Sequence, residues 1–388
     1  MNISVANRLS LYYSYPIVIS CICTLAVFNL PDSFLHQVII FGAVPVLLML
    51  ACRLVGLHKF PISSALAKLQ PSSGQRLIIY LFSGVVIAAA PLDIYVNGFK
   101  LADPQSYAEL NGYGRFVRHV TIHAWMLIPV AFYAVRPDFK LLKSFLILFA
   151  IIVPILTIDR NRLFLGFYCF IFCFLATRQR DISYKKILLM LLLMLTVFIM
   201  IGTHRSGDSF VVPSSGSEIE EGLYPFKDYF PEIPVGMQQV LLYITTPIFN
   251  LATVADSGFE TSSYLINQLS PFSREDVAAS EVPQLVVPRF NVGTEFFPFL
   301  LYGGWPPVIL AMLGILLSLI LSAYIFVKTR DFIVFIVFLK FSYSSLFMGF
   351  APQFYLFLNL AFLLLMLIMG AVGYLLTYAM SPEPCEEL

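Results

Sequence analysis

The chain has 388 residues, 59% of them hydrophobic and only 12% charged, with a formal net charge of +1 and a mean hydropathy of +0.83. This composition lies outside the range of soluble globular domains and makes lipid the solvent for most of the chain. With so little net charge, and with Lys and Arg scattered over short loops, nucleic-acid binding is excluded as a function class.

A membrane-spanning helix needs about 20 mostly apolar residues, because hydrocarbon tolerates no unpaired backbone groups. On that measure the sequence predicts about ten spans, near 12–30, 34–52, 77–96, 119–135, 144–158, 162–177, 187–203, 305–327, 332–349 and 354–378. The first has no cleavage pattern and reads as an uncleaved helix. Residues 1–203 are therefore expected to form spans one to seven, with a lesser periplasmic loop near 93–118. Residues 204–304 form one large periplasmic loop, residues 305–378 spans eight to ten, and residues 379–388 a cytoplasmic tail. The orientation follows from the short loops. Placing both termini in the cytoplasm puts fourteen of the 24 basic residues there, from Arg8 and Arg53 to Lys328 and Arg330, as the positive-inside rule requires. Within the large loop, Val240, Ile244, Ile248 and Leu251 recur at helical spacing. They predict an amphipathic helix near 236–256, lying on the bundle or in the interface plane, and a second helix near 261–269.

Six cysteines occur, all in apolar spans or the tail. Cys169 and Cys173 share a helix face without His or carboxylate company, so packing is expected and neither a metal site nor a cofactor.

The sharpest local feature is Asp159-Arg160-Asn161-Arg162, a tight hairpin between two short spans. Two arginines on the outer side run against the usual charge bias. In the bland reading Arg160 pairs with Asp159 and Arg162 reaches the headgroups. In the functional one, two guanidiniums at the membrane border suit a lipid-linked diphosphate, whose oxygens they bind bidentately. His204, Arg205 and Asp208 follow the seventh span, and Arg289 and Glu295 close the large loop. Arg160, Arg162, Arg205 and Arg289 are thus the diphosphate candidates, and His204, Asp159, Asp208 and Glu295 the candidate bases, with His204 preferred for its near-neutral pKa. The aromatic run 296–302 suits an interfacial belt. Among ionisable residues in or near spans, Lys340 is expected to snorkel to the cytoplasmic end about 12 Å away, while His36, Asp93 and His123 are expected to be wet.

Four stretches carry a family likeness: LTIDRNRLF at 156–164, GTHR at 202–205, YITTPIFNL at 243–251, and NVGT at 291–294 running through YGG at 302–304. In this order and topology, over roughly residues 145–315, the chain resembles the Wzy-type O-antigen polymerases. The resemblance implies an all-α polytopic membrane glycosyltransferase of the GT-C-like type in the bacterial inner membrane. It would join undecaprenyl-diphosphate-linked oligosaccharide repeat units at the periplasmic face and release undecaprenyl diphosphate. Catalysis would fall to His204, Arg205, Asp159 and Glu295, with glycan contacts from Tyr243, Asn250 and Tyr302. A co-polymerase that sets chain length would be its partner, and membrane lipid its surroundings. An O-antigen ligase and a lipid-linked oligosaccharide flippase are the alternatives. A flippase would want a charged cavity at mid-membrane.

Overall fold

The computed structural model describes residues 7–104, 106, 110, 112–177, 184–206, 226–270, 278–285 and 293–380. Among them no strand forms, apart from two isolated bridges, Arg8 with Lys59 and Phe28 with Phe226. The main helices are α1 (Ser14–Val27), α2 (Asp32–Leu54), α3 (Ile62–Ala67), α4 (Ser73–Asn97), α5 (Gly114–Thr121), α6 (Leu127–Pro129), α7 (Lys140–Leu156), α8 (Arg160–Thr177) and α9 (Tyr184–Ser206). They continue as α10 (Val235–Ser257), α11 (Ser263–Leu269), α12 (Phe297–Gly303), α13 (Trp305–Thr329), α14 (Phe332–Phe347) and α15 (Phe357–Met380). Six are long and apolar enough to cross a membrane: α1 with its lead from Leu9, α2, α4, α10, α13 and α15. The chain is therefore an all-α protein built of membrane-spanning helices.

One end of the bundle, here the lower end, is defined by the starts of α4 and α14 and the finish of α15. A capping box opens α4, with the Gln75 N–H donating to Ser72 Oγ and the Ser72 N–H to Gln75 Oε1. Asp331 caps α14 by accepting the N–H groups of Ile333 and Val334. The two caps meet, because Gln75 Nε2 donates to Asp331, while Ser72 shares a 2.7 Å hydrogen bond with Thr377 of α15. Gly74 lets these helices touch: a Cβ there would lie 2.3 Å from the Gly373 carbonyl oxygen and the Thr377 nitrogen. Only a small residue permits so close a backbone approach.

At the upper end α10 packs against α1, α2 and α9. Its Gln239 accepts a 3.4 Å bond from Thr203, near the end of α9. Thr24, in the last turn of α1, donates to the Thr245 carbonyl. Phe249 stacks on Phe28 at 4.4 Å and meets Phe34, at the start of α2, at 5.8 Å. Residues 239 and 249 are about 15 Å apart along the helix, yet both meet the upper ends of other helices.

Two expectations from the sequence need correction here. The fourth predicted span, 119–135, is not one helix: α5 ends at Thr121, a 3-10 turn covers Ala124–Met126, and α6 leads into a π-turn at Val130–Ala134. Pro129 supplies no N–H, and such breaks are stable only where the surrounding protein re-satisfies the backbone. The aromatic run is likewise no exposed belt, since Phe296 is fully buried and Phe297 nearly so. They lead into α12, with Phe296 packing edge-on to Phe41 of α2.

Helix lengths shape the upper surface. With 17 and 16 residues, α7 and α14 reach about 25 Å, whereas α4, α9 and α13, with 25, 23 and 25 residues, extend about 35–38 Å. The turn between α7 and α8 and the link between α14 and α15 therefore form a floor recessed below the taller helices.

Candidate functional site

The recessed floor centres on the hairpin between α7 and α8, whose geometry follows from its caps. The N–H of Asp159 donates to the Pro154 carbonyl at 2.8 Å and that of Ile158 to the Ile155 carbonyl at 3.1 Å. This is the double bond pattern of a Schellman ending, which needs a left-handed residue at its centre. Glycine usually fills that place; here it is Ile158, with φ of +53°. A β-branched residue in that conformation costs about 1–2 kcal/mol. Burial of the Ile158 side chain beside Leu163 and Ile201 offsets the strain. Asp159 then caps α8 by accepting the Arg162 N–H and pairs with the Arg162 guanidinium at 2.8 Å. The expected partner was Arg160, but the i,i+3 spacing brings Arg162 back over the cap.

Successive helical side chains diverge by about 100°, so residues 160–162 reach three different neighbours. Arg160 lies over the rings of Phe198 on α9 and Tyr243 on α10, at 5.2 and 5.3 Å. The guanidinium also reaches Gly202, where a Cβ would lie 3.2 Å from its Nη1, about 6 Å below the last residue of α9. Asn161 donates from Nδ2 to Gln353 Oε1 at 2.8 Å, and its carbonyl accepts the Tyr343 hydroxyl at 2.7 Å. Arg162 faces a cavity of about 130 Å³ that it shares with His123, Lys340, Gln353 and Asn359. His123 is held between the rings of Phe82 and Phe362. Lys340 thus points inward, with its ammonium 5.7 Å from the Tyr343 ring. It does not snorkel to the lower end, because inward packing of α14 offers it polar partners in the cavity.

A second buried network braces the same floor. Asp93 on α4 is fully buried, not wet as expected, and pairs with Arg118 of α5 at 2.7 Å. Thr121 Oγ1 and Asn97 Nδ2 also donate to it. A charge in a span must be paired, and the partner is supplied by α5, whose polar face also carries Arg115 and His119. Partial burial, with the guanidiniums of Arg162 and Arg115 nearby, holds His119 below the ordinary histidine pKa. Arg115, Arg118, His119, Lys340, Gln353 and Asn359 were missed as site residues by sequence reasoning. The signals available were the spacing of Arg115, Arg118 and His119 at i, i+3 and i+4 and the mid-span charge of Asp93.

Glu295 is fully buried, and its carboxylate accepts three consecutive backbone N–H groups, those of Gln353, Phe354 and Tyr355, the last at 2.8 Å. Gln268 Nε2 adds a fourth, longer contact of 3.4 Å. The link between α14 and α15 is non-helical backbone at membrane depth, which survives only when its polar groups are satisfied by protein. Glu295 meets that need and, through Gln353, positions Asn161 of the hairpin.

The remaining candidates are dispersed. His204 is exposed on the last turn of α9, and its Nε2 donates to the Leu101 carbonyl at 2.8 Å. Asn250 is buried in α10, about 10 Å along the helix from Tyr243. Tyr302 is 57% exposed on α12. The Arg205 side chain, Asp208 and Arg289 lie outside the described residues. The structure thus brings Arg160 to Tyr243 on one side of the hairpin and Asp159 to Arg162 on another, leaves His204 exposed on α9, and ties Glu295 to the hairpin indirectly through Gln353.

The fold and this polar floor define a multi-pass, all-α membrane protein with a recessed cationic site at one end of its bundle. No protein-family model matches the chain, and no curated protein or solved structure is significantly similar to it.

Proposed function

We propose that the chain is a membrane glycosyltransferase, an O-antigen polymerase, which joins undecaprenyl-diphosphate-linked repeat units at the upper, periplasmic end of an inner-membrane bundle. The observation that carries this reading is the recessed hairpin, where Arg160 and Arg162 are held by the caps and rings around them and are joined by the cations of α5. A diphosphate at the membrane border meets preorganised guanidiniums there, which stabilise charge as it develops on the leaving group and require no metal. The acceptor's sugar hydroxyl attacks the anomeric carbon of the donor's first sugar. The new glycosidic C–O bond forms, the bond to the diphosphate breaks, and undecaprenyl diphosphate departs with the electron pair.

His204 accepts the hydroxyl proton. Its Nε2–H is engaged by the Leu101 carbonyl, which leaves Nδ1 as the basic nitrogen. Arg205 and Arg289 complete the cation set, and Tyr243 and Tyr302 contribute glycan contacts; Asn250, buried within α10, does not. A chain-length-regulating co-polymerase remains the proposed partner.

A strain deleted for the chain is expected to make lipopolysaccharide capped with one repeat unit, read on a gel as a single band above the core. Uncapped core would instead fit a ligase or a flippase and would contradict the polymerase.

A further inference from the structure

At the lower end, far from the hairpin, a clip joins the chain before α1 to the link after α2. The Leu9 N–H donates to the His58 carbonyl at 3.2 Å and the Phe60 N–H to the Asn7 carbonyl at 3.0 Å. The clip roofs a groove of about 410 Å³ between α1 and α2. Arg8, Arg53 and Lys59 line its rim, and among the described residues no carboxylate lines it. All three cations are exposed. Nδ1 of His58, on the same rim, is buried with no hydrogen-bond partner among the described residues. Below the rim the wall turns apolar through Val18, Val46 and Leu50. Val46 and Leu50 are 37% and 49% exposed, so the wall runs on into the lipid-facing surface of the bundle.

We propose that this groove binds one anionic phospholipid, its phosphate held by Arg8, Arg53 and Lys59 and an acyl chain laid along the Val18, Val46 and Leu50 wall. Three positive charges, with no carboxylate beside them among the described residues, select a headgroup of net negative charge, since a zwitterionic lipid brings its own cation to the same rim. The apolar wall selects a lipid over a free phosphate ion, for which it would offer nothing. His58 adds a ring nitrogen that the described residues leave unsatisfied.

The full-length protein, purified in a neutral detergent, is titrated with phosphatidylglycerol, phosphatidylcholine or inorganic phosphate and followed by thermal unfolding and native mass spectrometry. Phosphatidylglycerol is expected to raise the midpoint and to remain bound to the ionised protein, while the other two do neither. The triple variant Arg8→Gln/Arg53→Gln/Lys59→Gln is expected to lower retention at least tenfold. Leu50→Trp fills the wall but keeps every charge, and is expected to lower it as well; if the triple variant does not fold, this variant decides alone. Equal retention of phosphatidylcholine, an equal shift with inorganic phosphate, or full retention by Leu50→Trp would overturn the proposal.

Discussion

Replacing Arg160 with alanine is expected to slow polymerisation by about 10²–10³-fold, the usual cost of deleting one well-placed donor to a developing anion. The inserted protein should remain at normal abundance. Arg160 lies on ring faces, over Phe198 and Tyr243, and is not locked in the ion pair that Arg162 forms with Asp159. Arg160→Lys keeps the charge but loses the planar fork and its stacking on the rings, so it should recover activity only in part. Chain length on gels and initial rates of repeat-unit consumption read the effect. Full-length ladders from Arg160→Ala would remove this residue from the site.

The largest effect on stability is expected at Asp93 and Arg118. Their pair is buried on both sides, with side-chain exposures of 0% and 7%, and breaking such a pair costs about 3–5 kcal/mol because the remaining charge stays unpaired in the interior. Asp93→Asn and Arg118→Met should therefore each lower the unfolding midpoint sharply and reduce folded protein in the membrane. The double variant Asp93→Leu/Arg118→Met should recover most of the loss. Thr121 Oγ1 keeps its bond to the residue 118 carbonyl, and Asn97 Nδ2 keeps its bond to the Gly114 carbonyl, so neither donor is orphaned. A double variant no more stable than the singles would contradict this account.

Apolar runs are a strong signal, and α1, α2, α4, α13 and α15 lie where hydropathy puts them. The hairpin at 159–162 was legible for the same reason, as charge interrupting apolar sequence. What lay beyond the sequence was direction. Lys340 is close enough to the lower end to snorkel, and only the packing of α14 against α8 and α15 turns it inward. Asp93 announced that it needs a partner but could not name Arg118, 25 residues away. The break in the fourth span was foreshadowed by Pro129, yet a proline inside an apolar run is compatible with a kinked helix as well as a broken one. Glu295 read as a candidate base because a carboxylate near the membrane suggests chemistry. Its occupation by three N–H groups depends on a helix ending at Phe347, which hydropathy does not mark. Arg160 and Tyr243, eighty-three positions apart, meet only because α8 and α10 both pack against α9.

The most direct test is reconstitution of the purified chain in liposomes with a single undecaprenyl-diphosphate-linked repeat unit as both donor and acceptor, and without a co-polymerase. A polymerase is expected to yield a ladder of lipid-linked oligomers and to release one undecaprenyl diphosphate for each glycosidic bond formed. Arg160→Ala should reduce both together. A chain that inserts and folds normally but leaves the repeat unit unjoined, or that moves it across the bilayer unchanged, would contradict the assignment.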